Sequence, residues 1–240
     1  MNKKFFRYPK KRPPLPEEFE RKFNELFLVN RKGNSKASSL SKKMEEWMHK
    51  KVSDDIKLTK DTISTLEIGA GTLNHLKFEK NAKPYDIIEP YRQLFEDSKH
   101  LKRVRWIYSD IFEIPKSKKY FRIVSIAVLE HILNLPDVVA KAGLHLEEEG
   151  CFRVGIPSEG EPLWKLGWKL TTGLEIKLRY GLDWGEYLKH EHVNTSSEIE
   201  EILGYFFETI NRKILVSQEN FRFISFLSVL CHILIGVRII

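Results

Sequence analysis

Two glycines separated by one residue follow a short apolar run, a pattern that occurs in nucleotide-binding sites. The apolar run spans Thr62–Ile68, and it is followed by Gly69, Ala70 and Gly71. Glycine lets the backbone turn sharply, and it lets a ligand approach where a Cβ atom would otherwise stand. Parallel α/β sheets bind nucleotides at such turns, at the carboxyl ends of their strands. Because Gly-x-Gly also occurs by chance, an ordinary strand and loop remains an alternative.

Three acidic residues lie at or just beyond the ends of successive apolar runs. They are Glu67, Glu89 and Asp110. The carboxyl ends of neighbouring parallel strands line one crevice, so we expect these acids to lie along it. A carboxylate there can accept both hydroxyls of a ribose, and Glu89 follows Gly69 at the roughly 20-residue spacing of the dinucleotide fingerprint. Two alternatives follow: a nicotinamide or flavin domain, and a methyl-donor site.

The sixth position of the glycine pattern favours the methyl donor. Asn74 stands where a dinucleotide-binding domain usually has its third glycine. The predicted helix after the loop is short, and no clear pyrophosphate-binding segment follows it. S-adenosylmethionine has no pyrophosphate to bind. The pattern therefore indicates a site for that methyl donor more than a dinucleotide site.

Short apolar runs alternate with amphipathic runs from residue 61 onward, which predicts an α/β domain with a parallel sheet and crossover helices. The predicted strands are Thr62–Ile68, Tyr85–Glu89, Val104–Tyr108, Phe121–Ala127, Cys151–Ile156, Phe207–Val216 and Phe221–Leu230. The predicted helices of this part are Tyr91–His100, Leu135–Leu146 and Ser196–Phe206. Two further amphipathic helices are predicted before the domain, over Glu17–Val29 and Leu40–Val52.

The stretch from Leu66 to Ser158 resembles the class I S-adenosylmethionine-dependent methyltransferases of the type 11/12-like kind. Five ordered pieces carry the resemblance: Glu67–Thr72, Ile87–Pro90, Ser109–Ile111, Ser125–His131 and Gly150–Pro157. The resemblance implies a Rossmann-like fold whose mostly parallel, seven-stranded sheet has an antiparallel last strand and helices on both faces. It also implies an S-adenosylmethionine-dependent methyltransferase activity, with S-adenosyl-L-methionine as the cofactor.

The same resemblance implies which residues bind the cofactor, with Glu89 holding the ribose hydroxyls. The implied set is Glu67, Gly69, Ala70, Gly71, Glu89, Pro90, Asp110, Ile111 and Ala127. Two positions depart from the family pattern: Leu73 stands where a glycine is common, and Arg122 stands where many members have aspartate. We expect Arg122 to have a structural role.

Three further segments resemble a bacterial group linked to methylation of surface polysaccharides: Lys43–His49, Trp164–Trp168 and His190–Asn194. This resemblance implies O-methylation of a sugar or glycan intermediate. A sugar hydroxyl has a high pKa and benefits from a base, and histidine suits that task at neutral pH.

The candidate bases are His131, His190 and His192, although each could instead be a packing or loop histidine. No metal site is expected, because two histidines two residues apart are a weak metal signature. Related quinone-pathway enzymes that can use a metal also carry an extra acid where Ala127 stands.

The predicted domain plan has an N-terminal basic arm and helical extension (residues 1–60) and a methyltransferase domain (residues 61–240). Residues 1–15 are rich in proline and are expected to be loosely ordered. An inserted segment over residues 158–195 is long for a connection and is expected to form a lid over the acceptor. Its aromatic residues suit sugar rings or simple packing: Trp164, Trp168, Tyr180, Trp184 and Tyr187.

The net charge of +7 would suit an anionic partner, but much of the excess lies in the N-terminal arm. A nucleic-acid methyltransferase stays an alternative, although no nucleic-acid module is recognisable; other small-molecule acceptors and a non-catalytic cofactor-binding scaffold are further alternatives.

The apolar run Ile224–Val237 is expected to be a core strand, with peripheral contact at the inner membrane face as the alternative. With two cysteines and no secretory signal, a cytoplasmic location is expected. The oligomeric state is not predicted.

Overall fold

Seven strands form one sheet in the computed structural model of the chain, which describes residues 5–22, 36–54, 62–80, 82–157, 166, 168–216 and 230–239. The strands are β1 (Ile63–Ile68), β2 (Ala82–Ile88), β3 (Val104–Tyr108), β4 (Tyr120–Ile126), β5 (Leu146–Pro157), β6 (Phe207–Val216) and β7 (Leu230–Ile239). Their order is β3-β2-β1-β4-β5-β7-β6. Strands β1 to β5 pair in parallel, and β7 is antiparallel to both β5 and β6. The predicted parallel α/β sheet is confirmed.

Helices cover both faces of this sheet. In the described part of the chain they include α1 (Lys36–Asp54), α2 (Leu135–Leu144), α3 (Leu174–Tyr180), α4 (Trp184–Glu191) and α5 (Ser196–Phe206), and a π-helical turn over Lys169–Gly173 precedes α3. Residues 17–22 are helical as well. The main core lies between the sheet and helices α2 and α5. On the opposite face, Trp47, Met48 and Val52 of α1 pack against Val124 and Ile126 of β4. No helix in the described part of the chain is long and apolar enough to span a bilayer.

The helix predicted over Tyr91–His100 is wrong. The segment forms turns, with one 3₁₀ turn over Arg92–Leu94. Phe95 is buried, whereas Leu94 is half-buried and Tyr91 is exposed, so the three apolar residues at helical spacing do not form one buried face. The serine at position 98 further favours turns, because Ser98 Oγ accepts a hydrogen bond from the His100 amide and donates one to the Thr72 carbonyl.

The N-terminal arm is packed against the domain, so the expectation that it is loosely ordered is wrong for the described residues 5–15. Phe5 and Tyr8 are buried in the main core, and the ring of Phe5 lies edge-on to Tyr205 of α5 at 5.1 Å between centroids. Prolines exclude a helix here, but they do not prevent an extended segment from burying its aromatic side chains.

The described C-terminal strand begins at the residue where the predicted one ends. The structure has β7 over Leu230–Ile239, whereas the predicted strand spans Phe221–Leu230, of which residues 221–229 lie outside the described part. Because β7 pairs with β5 on one side and β6 on the other, the described part of the apolar run is an interior strand of the sheet.

A buried ion pair lies on the α1 face of the sheet. Arg122 of β4 is about 1% exposed and pairs with Glu79, which is equally buried. His75 Nε2 lies 2.7 Å from the other carboxylate oxygen of Glu79. Burial alone would raise the pKa of Glu79, but His75 and Arg122 outweigh it and lower that pKa to about 2. Arg122 therefore has the structural role that was expected of it.

We expect Arg122→Met to lower the free energy of unfolding by about 3–5 kcal/mol, because the Glu79 carboxylate would stay buried without its cation. Urea unfolding at neutral pH measures the loss. The double variant Arg122→Met/Glu79→Gln removes the stranded charge and should lose less than Arg122→Met does. A double variant that loses the sum of the two single losses would contradict the pairing.

Candidate functional site

The glycine loop after β1 is held close to the neighbouring strand ends. Gly69 has a φ of +73°, a conformation that favours glycine. Its amide and that of Ala70 both donate to the Ile88 carbonyl at the end of β2, at 2.8 and 3.3 Å. A Cβ atom on Gly69 would lie 2.4 Å from Cγ2 of Val128, in the loop after β4. Only glycine therefore lets the loops after β1 and β4 approach this closely.

Glu89 at the end of β2 binds the glycine loop through its carboxylate. Oε2 accepts a hydrogen bond from the Gly71 amide at 2.8 Å, and Oε1 accepts one from the Tyr91 amide at 3.1 Å. A carboxylate has about four acceptor positions, so each oxygen keeps one for a further donor. Glu89 thus has the acceptors that a pair of ribose hydroxyls requires.

The loop after β3 supplies a second acidic residue at the same edge of the sheet. Asp110 Oδ1 accepts a hydrogen bond from the Phe112 amide at 2.9 Å and begins a 3₁₀ turn there. Ile111 is buried in the main core, so it supports the loop from below.

Sequence reasoning missed two aromatic side chains at this edge: Tyr91 is 58% exposed and Phe112 is 54% exposed. Each lies within two residues of a predicted acid, which could have drawn attention to them.

Ala127 has a φ of +53°, which is uncommon for a residue with a side chain. Its amide donates to the Gly155 carbonyl of β5 at 2.9 Å, so the turn is fixed by the sheet. Such conformations cost free energy and concentrate at functional sites. The outlier marks the carboxyl end of β4 as part of the candidate site.

Glu67 points away from the exposed side of the loop. Its carboxyl group is 1% exposed on the α1 face, and it accepts a hydrogen bond from the Tyr85 hydroxyl at 2.7 Å. Burial raises the pKa of Glu67 to about 8. The group therefore joins β1 to β2 through Tyr85, and a direct contact with a cofactor stays a prediction.

His131 and His192 lie together beside the loop after β4. Their rings meet edge-on, with 4.6 Å between centroids. His131 Nδ1 lies 3.0 Å from the Glu191 carbonyl oxygen. A carbonyl can only accept, so Nδ1 carries the proton, and Nε2 has the lone pair when the ring is neutral. Burial lowers the pKa of His192 to about 4, so this ring contributes packing more than charge.

The N-terminal arm binds the backbone beside these histidines. Arg12 donates to the carbonyl oxygens of His190 and Glu191, each at 3.0 Å, and to that of His131 at 3.2 Å. His190 Nδ1 lies 2.7 Å from the Pro13 carbonyl oxygen, so its side chain contacts the arm instead of the His131 ring. Sequence reasoning missed Arg12, because nothing in a proline-rich segment shows which loop it will contact.

Asn194 joins three parts of the chain behind the histidines. Its Nδ2 donates to the carbonyls of Leu129 and Ile132 at 2.9 and 2.7 Å, and its Oδ1 accepts from the Tyr8 hydroxyl at 3.0 Å. The Asn194 amide also donates to the Glu130 carbonyl at 3.1 Å. The side chain is 1% exposed, so these bonds fix the position of the His131 loop.

The described aromatic residues of the predicted lid pack mainly against the chain itself. Trp184 and Tyr187 are buried and stack at 4.3 Å between ring centroids. Tyr187 also stacks on Phe19 from the N-terminal segment at 6.2 Å. Trp168 and Tyr180 are partly buried against the same cluster, while Trp164 lies outside the described residues. Aromatic character alone could not distinguish packing from ligand contact.

The arrangement is similar to solved methyltransferase structures. A SAM-dependent methyltransferase from Thermotoga maritima matches with a TM-score of 0.57 at 14% identity, covering 92% of this chain and 99% of that one. The plantazolicin methyltransferase BpumL, in complex with SAH, matches with a TM-score of 0.58 at 17% identity, covering 92% and 99%. The N-methyltransferase NodS from Bradyrhizobium japonicum, also with SAH, gives 0.52 at 14% identity, covering 85% and 89%.

The chain has the class I methyltransferase fold. The sequence identities are low, so these similarities establish the fold and leave the chemistry to the site. No protein-family model matches the sequence, and no curated protein matches it. Within the described residues, no three His, Cys, Asp or Glu side chains are grouped so that they could hold a metal ion.

The raised pKa of Glu67 predicts a pH dependence of stability. In the unfolded chain this carboxyl ionises near its ordinary value, whereas in the folded protein it stays protonated up to about pH 8. The unfolded state therefore binds fewer protons in between, and the contribution of Glu67 to stability falls as the pH rises from about 5 to 8. Urea unfolding of the parent and of Glu67→Gln measures this contribution.

Glu67→Gln replaces the protonated carboxyl by a neutral group of similar shape. We expect the two proteins to differ little in stability near pH 5, and the variant to gain on the parent as the pH rises to 8. A stability difference that does not change over this range would contradict the assignment.

Proposed function

We propose that the chain is an S-adenosylmethionine-dependent methyltransferase that methylates a hydroxyl group of a sugar or glycan intermediate. The observation that carries the methyl-donor part is the Glu89 carboxylate, bound to the glycine loop with acceptor positions to spare. The acceptor part rests on the position of His131 and on the resemblance of the segment His190–Asn194 to enzymes of surface-polysaccharide methylation.

The residues at the sheet edge fit S-adenosylmethionine. Glu89 would accept the two ribose hydroxyls, and the backbone of Gly69 and Gly71 lets the ligand approach the loop. The exposed rings of Tyr91 and Phe112 offer faces on which a flat base can stack. SAH, the product of the methyl donor, is bound in solved structures of BpumL and NodS, which have the same fold.

The methyl donor supplies an electrophilic methyl group, so the protein has mainly to align an acceptor oxygen and remove its proton. His131 is suited to removing it, because Nδ1 is bound to the Glu191 carbonyl and Nε2 has the lone pair. The His131 side chain is about one-third exposed, so an acceptor can reach it. Arg12 and Asn194 hold the loop, and they therefore fix the direction of Nε2.

A hydroxyl acceptor, such as that of a sugar or glycan, is favoured because His131 is placed as a candidate base. A hydroxyl acceptor gains from proton removal in the transition state. Amine acceptors are the alternative among small molecules, and NodS is named as an N-methyltransferase. An acceptor panel that contains sugars, nucleotide sugars and amines separates the two chemistries.

Nucleic acid is a less suitable acceptor, because basic residues of the arm are already engaged within the chain. Lys10 Nζ lies 2.7 Å from Glu198, and Arg7 lies 3.5 Å from the same carboxylate. Arg12 is bound to the carbonyl oxygens of His190 and Glu191. The non-catalytic scaffold stays an alternative that turnover on any acceptor would exclude.

We expect calorimetric titration to show binding of S-adenosylmethionine and S-adenosylhomocysteine in the micromolar range, about −8 kcal/mol. Glu89→Ala should weaken this binding by roughly 100-fold, because two charge-assisted hydrogen bonds are lost. Glu208→Ala, which removes an exposed carboxylate of β6, is the matched control and should bind like the parent. Folded parent protein that binds neither ligand would refute the proposal.

We expect His131→Asn to lower kcat by about 10²–10⁴-fold on a hydroxyl acceptor, because the base is removed. Binding of S-adenosylhomocysteine should be unchanged, which separates loss of the base from loss of the fold. The measurement is methyl transfer from labelled S-adenosylmethionine across a range of pH. A variant that keeps the parent's rate and pH profile would show that His131 is not the base.

A further inference from the structure

Four leucines form an exposed row on the lid. Leu166, Leu170, Leu174 and Leu178 follow one another at every fourth position, and they are 45%, 57%, 49% and 79% exposed. Residues four apart lie on one face of a helix, and the last three belong to the π-helical turn and α3. We call these four residues the leucine ridge. Exposed leucines occur singly on most proteins, whereas a contiguous row marks an interaction surface.

The ridge is not the face with which this helix packs against the protein. Ile176 and Thr172 are buried on the inner side, and Ile176 joins the cluster of Trp184, Tyr187 and Phe19. The helix therefore has two apolar faces, of which the inner one stabilises the lid. The four leucines of the outer face do not belong to that cluster of described residues, and 45–79% of each is exposed to a partner.

Basic side chains flank the leucine ridge. Lys169, Lys177 and Arg179 are all exposed on the same helical stretch, and the Nζ atom of Lys22 lies 5.3 Å from the centroid of the Tyr180 ring at its end. Glu175 is the one acidic residue between positions 168 and 180. It is only 30% exposed and lies 3.9 Å from Arg179. The helical stretch that carries the ridge therefore has three exposed cations and one partly exposed acid.

We propose that the leucine ridge binds the surface of an anionic lipid bilayer. A helix that presents leucines between lysines and arginines lies in the membrane interface, with its apolar side among the acyl chains and its cations at the lipid phosphates. Lysine and arginine side chains are long enough to reach the headgroups while their stems stay apolar. A second copy of the chain fits less well, because the basic rims of two ridges would repel each other.

The ridge lies on the segment that leads to Glu191 and His192. Helix α3 is followed by α4, and α4 ends at Glu191, which contacts His131. Bilayer binding through the ridge would therefore attach to the lipid surface the segment that leads to Glu191. The binding itself does not rest on the proposed methyl transfer, and it can be measured without methyl donor or acceptor.

The test is flotation of the full chain with vesicles of phosphatidylcholine mixed with phosphatidylglycerol, and with vesicles of phosphatidylcholine alone. We expect binding to the anionic vesicles that decreases as salt is added. Leu174→Ser/Leu178→Ser should weaken it about tenfold or more, because both leucines leave the acyl region. Lys177→Gln/Arg179→Gln should weaken the preference for anionic lipid.

Leu144→Ser is the matched control, because Leu144 is a 58% exposed leucine at the end of α2, outside the ridge. It should bind vesicles like the parent. Circular dichroism and urea unfolding check that the ridge variants are folded. The proposal is overturned if the parent does not float with anionic vesicles, or if the ridge and control variants bind equally. It is also overturned if the ridge substitutions leave vesicle binding unchanged and alter only the oligomeric state, measured by sedimentation.

Discussion

The close approach of two loops at Gly69 is the constraint on which the candidate site depends. The Val128 methyl groups occupy the space that a Cβ atom on residue 69 would need, so the loops after β1 and β4 are in direct contact. Glu89 fixes the first loop through the Gly71 amide, and the second loop carries His131. One contact at the centre of the sheet thus sets the spacing between the methyl-donor side and the base side of the proposed reaction.

Two supports hold these loops in place from opposite directions. Beneath the glycine loop, the carboxyl group of Glu67 is bound to Tyr85 in a region that also contains the buried pair of Arg122 and Glu79. On the other side, the N-terminal arm binds through Arg12 to the backbone carbonyls of His131, His190 and Glu191. Buried charge makes the first support costly to disturb. The second consists of an extended segment whose Leu15 shares an apolar cluster with Ile176, Trp184 and Tyr187. These side chains pack inward, while the leucine ridge faces outward.

Local patterns in the sequence predicted the sheet and one edge of the site. Strands β1, β2, β4 and β5 were predicted from apolar runs bounded by turn residues, since the interior strands of a parallel sheet are buried on both faces. The roles of the glycine loop and of Glu89 were predicted from their spacing, because a nucleotide-type site at a strand end needs these residue types there. The Tyr91–His100 helix was mispredicted, because propensity does not reveal whether a helix would have anything to pack against. The arm was mispredicted because proline content excludes a helix without excluding packing.

The sequence by itself determined the α/β class, the glycine turn and the acids at the strand ends, since each depends on residues close together in the chain. Only the tertiary structure decided how His131 is oriented, because its partners are Glu191 and, through its carbonyl, Arg12, far away in the sequence. It also decided that Trp184 and Tyr187 pack inward while the leucine ridge faces out. Burial is a property of the assembled fold, because the rest of the chain decides which face of a helix or strand is covered. Side chains of equal hydrophobicity can therefore be buried on one face and exposed on another.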